Sequence, residues 1–136
     1  MSNVWNKLSM GTGVIGGFLI SFWGGWDSLI SALTALIVID YITGVVKAIY
    51  LKKLSSEISY RGLLKKMLIL IVVGAAVVLQ SVLPENIPLR EITIMFFICN
   101  EGISILENAA AIIPIPEKLK NVLLQLRGSS ENEKKK

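Results

Sequence analysis

Charge is confined to a few short segments of this chain, and the stretches between them are long, apolar and almost uncharged. Ser9 to Trp26 lies uncharged between Lys7 and Asp27. Ser28 to Val46 is interrupted by Asp40. Met67 to Leu83 lies uncharged between Lys66 and Glu85, and Ile92 to Ile113 holds Glu101 and Glu107. A helix needs roughly 20 apolar residues to cross the hydrocarbon of a bilayer, with about 17 as a practical minimum. Apolar residues gathered in blocks of that length read as membrane spans rather than as one face of a soluble core. The composition agrees, with 53% of the 136 residues hydrophobic and a mean hydropathy of +0.64. The expected fold is all-α: a multi-pass membrane protein of three to four transmembrane helices plus a C-terminal amphipathic helix. The spans are expected near 9–26, 28–46, 67–83 and 92–113, in one membrane unit over 1–127, with a surface helix at 116–127 and a charged cytoplasmic tail at 128–136.

The connections support this division. Pro84-Glu85-Asn86-Ile87-Pro88 suits a tight turn, Pro114-Ile115-Pro116 ends the last span, and Ser55-Ser56 suits the start of a helix. Lys47 to Lys66 reads as a basic loop carrying Lys47, Lys52, Lys53, Arg61, Lys65 and Lys66. Another six basic residues follow the last span, whereas the segment between the third and fourth spans has one, Arg90. The positive-inside rule therefore places the 47–66 loop and the C-terminus in the cytoplasm and Pro84 to Glu91 outside. If Ser9–Trp26 spans, there are four crossings and a cytoplasmic N-terminus; if it lies along the surface, there are three. A cleaved signal sequence is disfavoured because no small-x-small site precedes Asp27.

Several chemistries are excluded or left unsupported. There is no histidine, Cys99 stands alone inside an apolar run, and no P-loop is present. Nothing suggests a metal or cofactor, and no nucleophile with a partner suggests an enzyme. The net charge of +4 is better explained by membrane orientation than by nucleic acid.

The last span poses the functional question. At about 100° per residue, Asn100, Glu101, Ser104, Glu107 and Asn108 fall on one stripe about a third of the helix circumference wide. An acidic residue at mid-membrane costs on the order of 3 kcal/mol, so this face must meet other helices or water. Either its amides and Ser104 hydrogen-bond between packed helices, with the glutamates near the interface, or the face lines an aqueous path; the second is the expectation. Asp40 lies in the second span, too far from Lys47 for a direct bond, and is expected to face the bundle and meet a polar or cationic group of another helix. Gly13, Gly17, Ser21 and Gly25 recur every four residues as a small-xxx-small ridge, and Gly44 is a further packing position. Leu119, Val122, Leu123 and Leu126 form the apolar stripe of the surface helix, and Gly128 onward reads as a solvated tail. Met10 reads as an ordinary internal methionine, the alternative being a second start that would omit Lys7.

Some of these residues carry a family resemblance. Asp40-Tyr41-Ile42-Thr43-Gly44 with Lys47-Ala48, Lys53-Leu54-Ser55-Ser56, Gly62 and Lys65-Lys66 resembles the first half of the toxin-secretion/phage-lysis holins. Glu101-Gly102-Ile103-Ser104-Ile105-Leu106-Glu107-Asn108 with Pro114-Ile115-Pro116-Glu117-Lys118-Leu119 resembles their second half. The resemblance covers roughly residues 28–127, and the glycine-rich N-terminus lies outside it. It implies a homo-oligomeric protein of the bacterial inner membrane that opens large lesions at a set time. The lesion would let a cell-wall hydrolase (endolysin), a passenger rather than a stable partner, or a toxin leave the cytoplasm. Competing readings are a small proton-coupled multidrug-type transporter or export subunit, and an antiholin or membrane scaffold that forms no pore.

Overall fold

The computed structural model describes residues 1–134 and contains five helices: α1 (Ser2–Phe22), α2 (Ser28–Tyr50), α3 (Ser56–Gln80), α4 (Leu89–Ala110) and α5 (Glu117–Lys134). No strand occurs among the described residues. Local sequence sets most of the boundaries. Asp27 caps α2 by accepting the Ile30 amide at 3.1 Å, and Ser55 caps α3 by accepting the Ile58 amide at 3.2 Å, which satisfies donors that a helix start leaves free. Lys52 ends α2 in the left-handed region at φ 55°, with the amides of Lys52 and Lys53 returning to Ile49 and Ala48. Pro84 and Pro88 frame the α3–α4 turn, closed by the Ile87 amide on the Pro84 carbonyl at 3.0 Å.

Two expected boundaries move. The basic segment 47–66 is mostly helix, with a loop of only a few residues around Lys52 and Lys53; Arg61, Lys65 and Lys66 ride on α3. The segment after Gly128 does not leave the helix, since the backbone of α5 continues to Lys134. The remaining tail residues, Lys135 and Lys136, lie outside the described residues.

Helix α4 is the hub of the bundle. It packs against α2, α3 and α5, while α2 and α3 touch each other only lightly. The apolar core joins Ile30, Leu33 and Ile37 of α2, Val73 of α3 and Ile94 of α4, with Trp23, Ile69, Leu70, Phe97 and Ile98 packed around it. Leu33, Val73 and Ile94 are fully buried. Seven residues along each helix from these three, about two turns, stand Asp40, Lys66 and Glu101 (the count runs backward on α3). The same inward face of each helix thus changes from apolar to charged.

The outside is the reverse. Val38, Ile39, Ile42 and Val46 of α2 and Leu63, Leu68, Ile71 and Val78 of α3 are exposed. Both helices are long and apolar enough to cross a membrane, and less than a quarter of each apolar stretch is buried within the bundle. In water that surface would drive aggregation; in hydrocarbon it is the required one.

Helix α1 buries none of its residues in the bundle. Its tether is at the C-terminal end. Trp23 donates its indole N–H to the Leu70 carbonyl at 3.1 Å, and Phe22 lies against Gly74, where any Cβ would overlap its ring. The small-residue ridge is shorter than the spacing suggests. Gly13 and Gly17 lie on an open helix face with no atom near the place a Cβ would occupy, Ser21 is exposed, and Gly25 is in the loop at φ 99°, off the helix altogether. Close helix approach is used instead at Gly74. A Gly74→Val substitution should displace Phe22 and cost about 1–3 kcal/mol, as overpacking does. Thermal unfolding in detergent reads the loss, and Phe22→Ala in the same chain should recover part of it.

Candidate functional site

The buried charges form one cluster. The Lys66 ammonium of α3 sits between Asp40 of α2 and Glu101 of α4, donating to Asp40 Oδ2 and, at 2.7 Å, to Glu101 Oε2. Asp40 is 4% exposed and Glu101 4%. Asn108, two turns beyond Glu101 on α4, donates its amide to Asp40 Oδ1 at 2.9 Å, to the Asp40 carbonyl at 3.3 Å and to Thr43 Oγ1 at 3.1 Å. Gly44 leaves room for that amide, which lies 3.6 Å from where a Cβ would stand. Helices α2, α3 and α4 are therefore tied together by charge-assisted bonds, the stronger class of hydrogen bond. Beside the cluster, a cavity of about 190 Å³ opens between α2 and α3, with Asp40, Lys66, Ser104 and Asn108 among its lining residues.

This geometry divides the expected polar stripe. Glu101, Ser104 and Asn108 turn toward α2 and α3. Asn100 is half-buried, and Glu107 is exposed on the flank of the helix. Of the basic residues, Lys52, Lys53, Arg61 and Lys65 are exposed and Lys47 is half-buried; Arg61 pairs with Glu57 at 2.8 Å on the surface. Lys66, expected as one more charge of a cytoplasmic loop, is instead an internal counter-ion. A cue exists in the sequence: Leu63 and Leu64 carry the apolar pattern of α3 back past Lys66, and Lys66 falls in heptad phase with Val73.

A second cluster closes the opposite end. Arg90, at the start of α4, is 6% exposed. Its Nε donates to the Trp23 carbonyl at 2.7 Å, and its two terminal nitrogens reach Asp27 Oδ2 at 2.8 Å and Oδ1 at 3.2 Å. The second terminal nitrogen also approaches the Gly25 carbonyl at 3.4 Å. The Arg90 amide donates to Gln80 Oε1 at 2.7 Å. Gly24, at φ 76°, passes so close that a Cβ would press on the guanidinium. Arg90 thus staples the α1–α2 loop to the ends of α3 and α4. The bond to Arg90 and the Ile30 amide hold the pKa of the Asp27 carboxyl at about 2, and Asp27 in turn raises the Arg90 guanidinium above its usual value. No sequence pattern singled out this pair; the signal was that Arg90 is the one basic residue on a side the positive-inside rule leaves otherwise empty.

Among the described residues, no group of Cys, Asp and Glu is arranged to hold a metal. What the arrangement can do is hold three helices in register inside an apolar solvent, with charge on the inside and hydrocarbon surface on the outside. Fold and site together define a helical membrane protein whose inward face is polar at one end.

Comparison with known proteins gives this class a family. The bacteriophage holin family matches residues 17–128. An uncharacterised 14.9 kDa protein of Clostridium perfringens is 44% identical over 93% of this chain and 97% of its own length. An uncharacterised protein of Listeria monocytogenes is 38% identical over 93% of this chain and 89% of its own. A probable holin of Bacillus phage phi105 is 35% identical over 76% of this chain and 78% of its own. The chain belongs to the bacteriophage holin family, whose members are membrane proteins and not enzymes. No solved structure matches it.

The two clusters should respond differently to substitution and to pH. Lys66→Met leaves the buried carboxyls of Asp40 and Glu101 without their cation and should cost about 3–5 kcal/mol, the usual effect of removing one partner of a buried ion pair. Replacing Asp40, Lys66 and Glu101 together by Leu, Met and Leu should recover most of that loss; both are read by thermal unfolding in detergent. At the other end, the depressed carboxyl of Asp27 contributes its stability at every pH above about 4, and that contribution disappears as pH falls through about 2. Mild acid should therefore leave the docking of Trp23 unchanged. Arg90→Ala should release it at any pH, at about 2–3 kcal/mol for lost bonds to a charged group, seen as a red shift of tryptophan emission.

Proposed function

We propose that this chain is a phage-type holin: copies accumulate in the bacterial cytoplasmic membrane, then associate and open holes that release a cell-wall hydrolase, or a toxin, at a set time. The observation that carries the reading, beside family membership, is the inverted bundle. Its outer surface suits lipid, while its inner face holds Asp40, Lys66, Glu101 and Asn108, which hydrocarbon would reject. Such a face has two stable settings, packed within the bundle or turned to water. Passage from the first to the second converts a silent monomer or small assembly into the wall of a hole. Glu107 and Asn100, on the flank of the same helix, join the lining when α4 turns.

The orientation proposed is the one the basic residues favour: the α2–α3 loop and α5 in the cytoplasm, the Arg90 cluster outside. Helices α2, α3 and α4 cross, and α1 adds a fourth crossing or lies on the membrane. The open face of Gly13 and Gly17, bare in the single chain, supports contact with another copy. A buried charge cluster within spans also favours a small proton-coupled transporter; the two readings differ in the size of what passes.

Inducible expression in bacteria, with and without a cytoplasmic muralytic enzyme, separates them. A silent delay followed by abrupt lysis that requires the enzyme is the expected result. Loss of membrane potential with the enzyme retained inside supports the transporter, and no effect on either supports an antiholin or scaffold. Glu107→Leu and Asn100→Leu should accumulate normally but delay or abolish lysis; lysis on the wild-type schedule would falsify the lining role of α4.

A further inference from the structure

We propose that the closed bundle binds one proton at Glu101, in a site built by Asp40, Lys66 and Glu101, of which Asp40 and Lys66 line the cavity between α2 and α3. The charges of the cluster require it. Asp40 accepts on both oxygens, from Lys66 at Oδ2 and from Asn108 at Oδ1. Both of its oxygens thus have donors, whereas Glu101 accepts one bond, at Oε2. Lys66, as an ammonium, neutralises Asp40. Glu101 is the remainder. It shares the same ammonium, is almost wholly buried, and if ionised leaves the cluster with one uncompensated negative charge. Burying an unpaired charge is opposed by its lost hydration, and a buried group takes up or releases a proton instead. With the proton on Glu101, Oε2 still accepts from Lys66 and the cluster is neutral.

Among the described residues, no further ion pair reaches Asp40 or Glu101. On α2, Tyr41 lines the cavity; on α3, Lys65 stands at its rim, exposed. On α4, Glu107 is exposed on a different flank. On α5, Leu123 lies against Gly102, next to Glu101. The cavity brings water as far as the Asp40 and Lys66 side of the cluster. Ala48, Leu54 and Ile58 line it on the side of the α2–α3 loop, and its volume of about 190 Å³ holds several waters. Loss of the proton sets Glu101 against Asp40 and loosens α2, α3 and α4 together. That last consequence rests on the hole-forming function proposed above; the proton site does not.

Infrared difference spectroscopy on the full chain in lipid vesicles, with isotope-labelled glutamate, tests the site directly. Wild type at neutral pH should show the C=O stretch of a protonated glutamic acid, removed by raising the pH. The band should vanish in Glu101→Gln and persist in Glu107→Gln. It should also vanish in Asp40→Asn, where Glu101 remains but becomes the sole partner of Lys66 and ionises. A role in packing alone would not move the band in that variant. Absence of the band in wild type, its survival in Glu101→Gln, or its survival in a folded Asp40→Asn protein, checked by circular dichroism, overturns the proposal. With a muralytic enzyme co-expressed, Glu101→Gln is fixed in the neutral form and should lyse cells later than wild type. Unchanged timing with the band lost removes the gating consequence and leaves the site; a wild type that never lyses cells removes the holin reading and leaves the infrared result untouched.

Discussion

A single ammonium joins three helices. Lys66 reaches from α3 to Asp40 on α2 and Glu101 on α4, and among the described residues it is the one ionic tie of α3 to both, beside the packing of Val73 and Gly74 and the bonds at Leu70 and Gln80. Helices α2 and α3 barely touch, and lipid offers no hydrophobic drive to press them together, because tails are as apolar as the side chains they would replace. What remains is shape and polarity. The apolar layer of Leu33, Val73 and Ile94 supplies shape, and the charged layer two turns away supplies a reason for one register over its neighbours. A one-turn slip of α3 would take Lys66 from both carboxylates at once, and each would then stand unpaired in a medium that penalises it heavily.

The Arg90 cluster does comparable work under different physics. It lies at the helix ends, where water screens part of each charge, so its strength rests on geometry: a fork of donors, an aspartate taken by two nitrogens, and a backbone carbonyl on Nε. Arg suits this better than Lys because its planar head pre-orients every bond. The result is asymmetry along the bundle. At the Asp27–Arg90 end the pKa of the carboxyl is held at about 2, well below ordinary pH. The Asp40–Lys66–Glu101 end has a cavity beside it and one carboxylate more than its cation can balance. In the opening proposed above, that is the end from which the helices part.

How much of this the sequence disclosed depends on the range of each interaction. Helix starts were legible because capping is local: Ser55 and the two prolines of 84–88 act within a few residues. The polar character of α4 was legible from its period. Which part of that stripe turns inward was not, since Glu101 and Glu107 differ only by partners on other helices. Lys66 shows the limit most plainly. A charge-counting rule assigns every lysine near a span to the loop; Lys52 and Lys53 lie there, and Lys65, though on α3, is exposed. Lys66 differs from Lys65 by one step of about 100°, enough to carry its ammonium from the surface to the interior. Asp27 and Arg90 are brought together only by the crossing of two whole helices between them, and no local pattern encodes their pairing.

Helix α1 is built on a different plan from the core. Its residues bury nothing in the bundle, yet its end is held in three ways: Phe22 on Gly74, Trp23 on the Leu70 carbonyl, and Arg90 on the Trp23 carbonyl. A helix fixed at one end and bare along its length is free to choose its surroundings, whether lipid or another copy, without disturbing the α2–α3–α4 core. Its bare face includes Gly13 and Gly17, where a second backbone could come close. Division of labour follows from that construction. The core carries the charges that must be hidden or hydrated, and α1 carries a surface that can meet neighbours while those charges are still hidden. In the function proposed above, association and opening are then separate events.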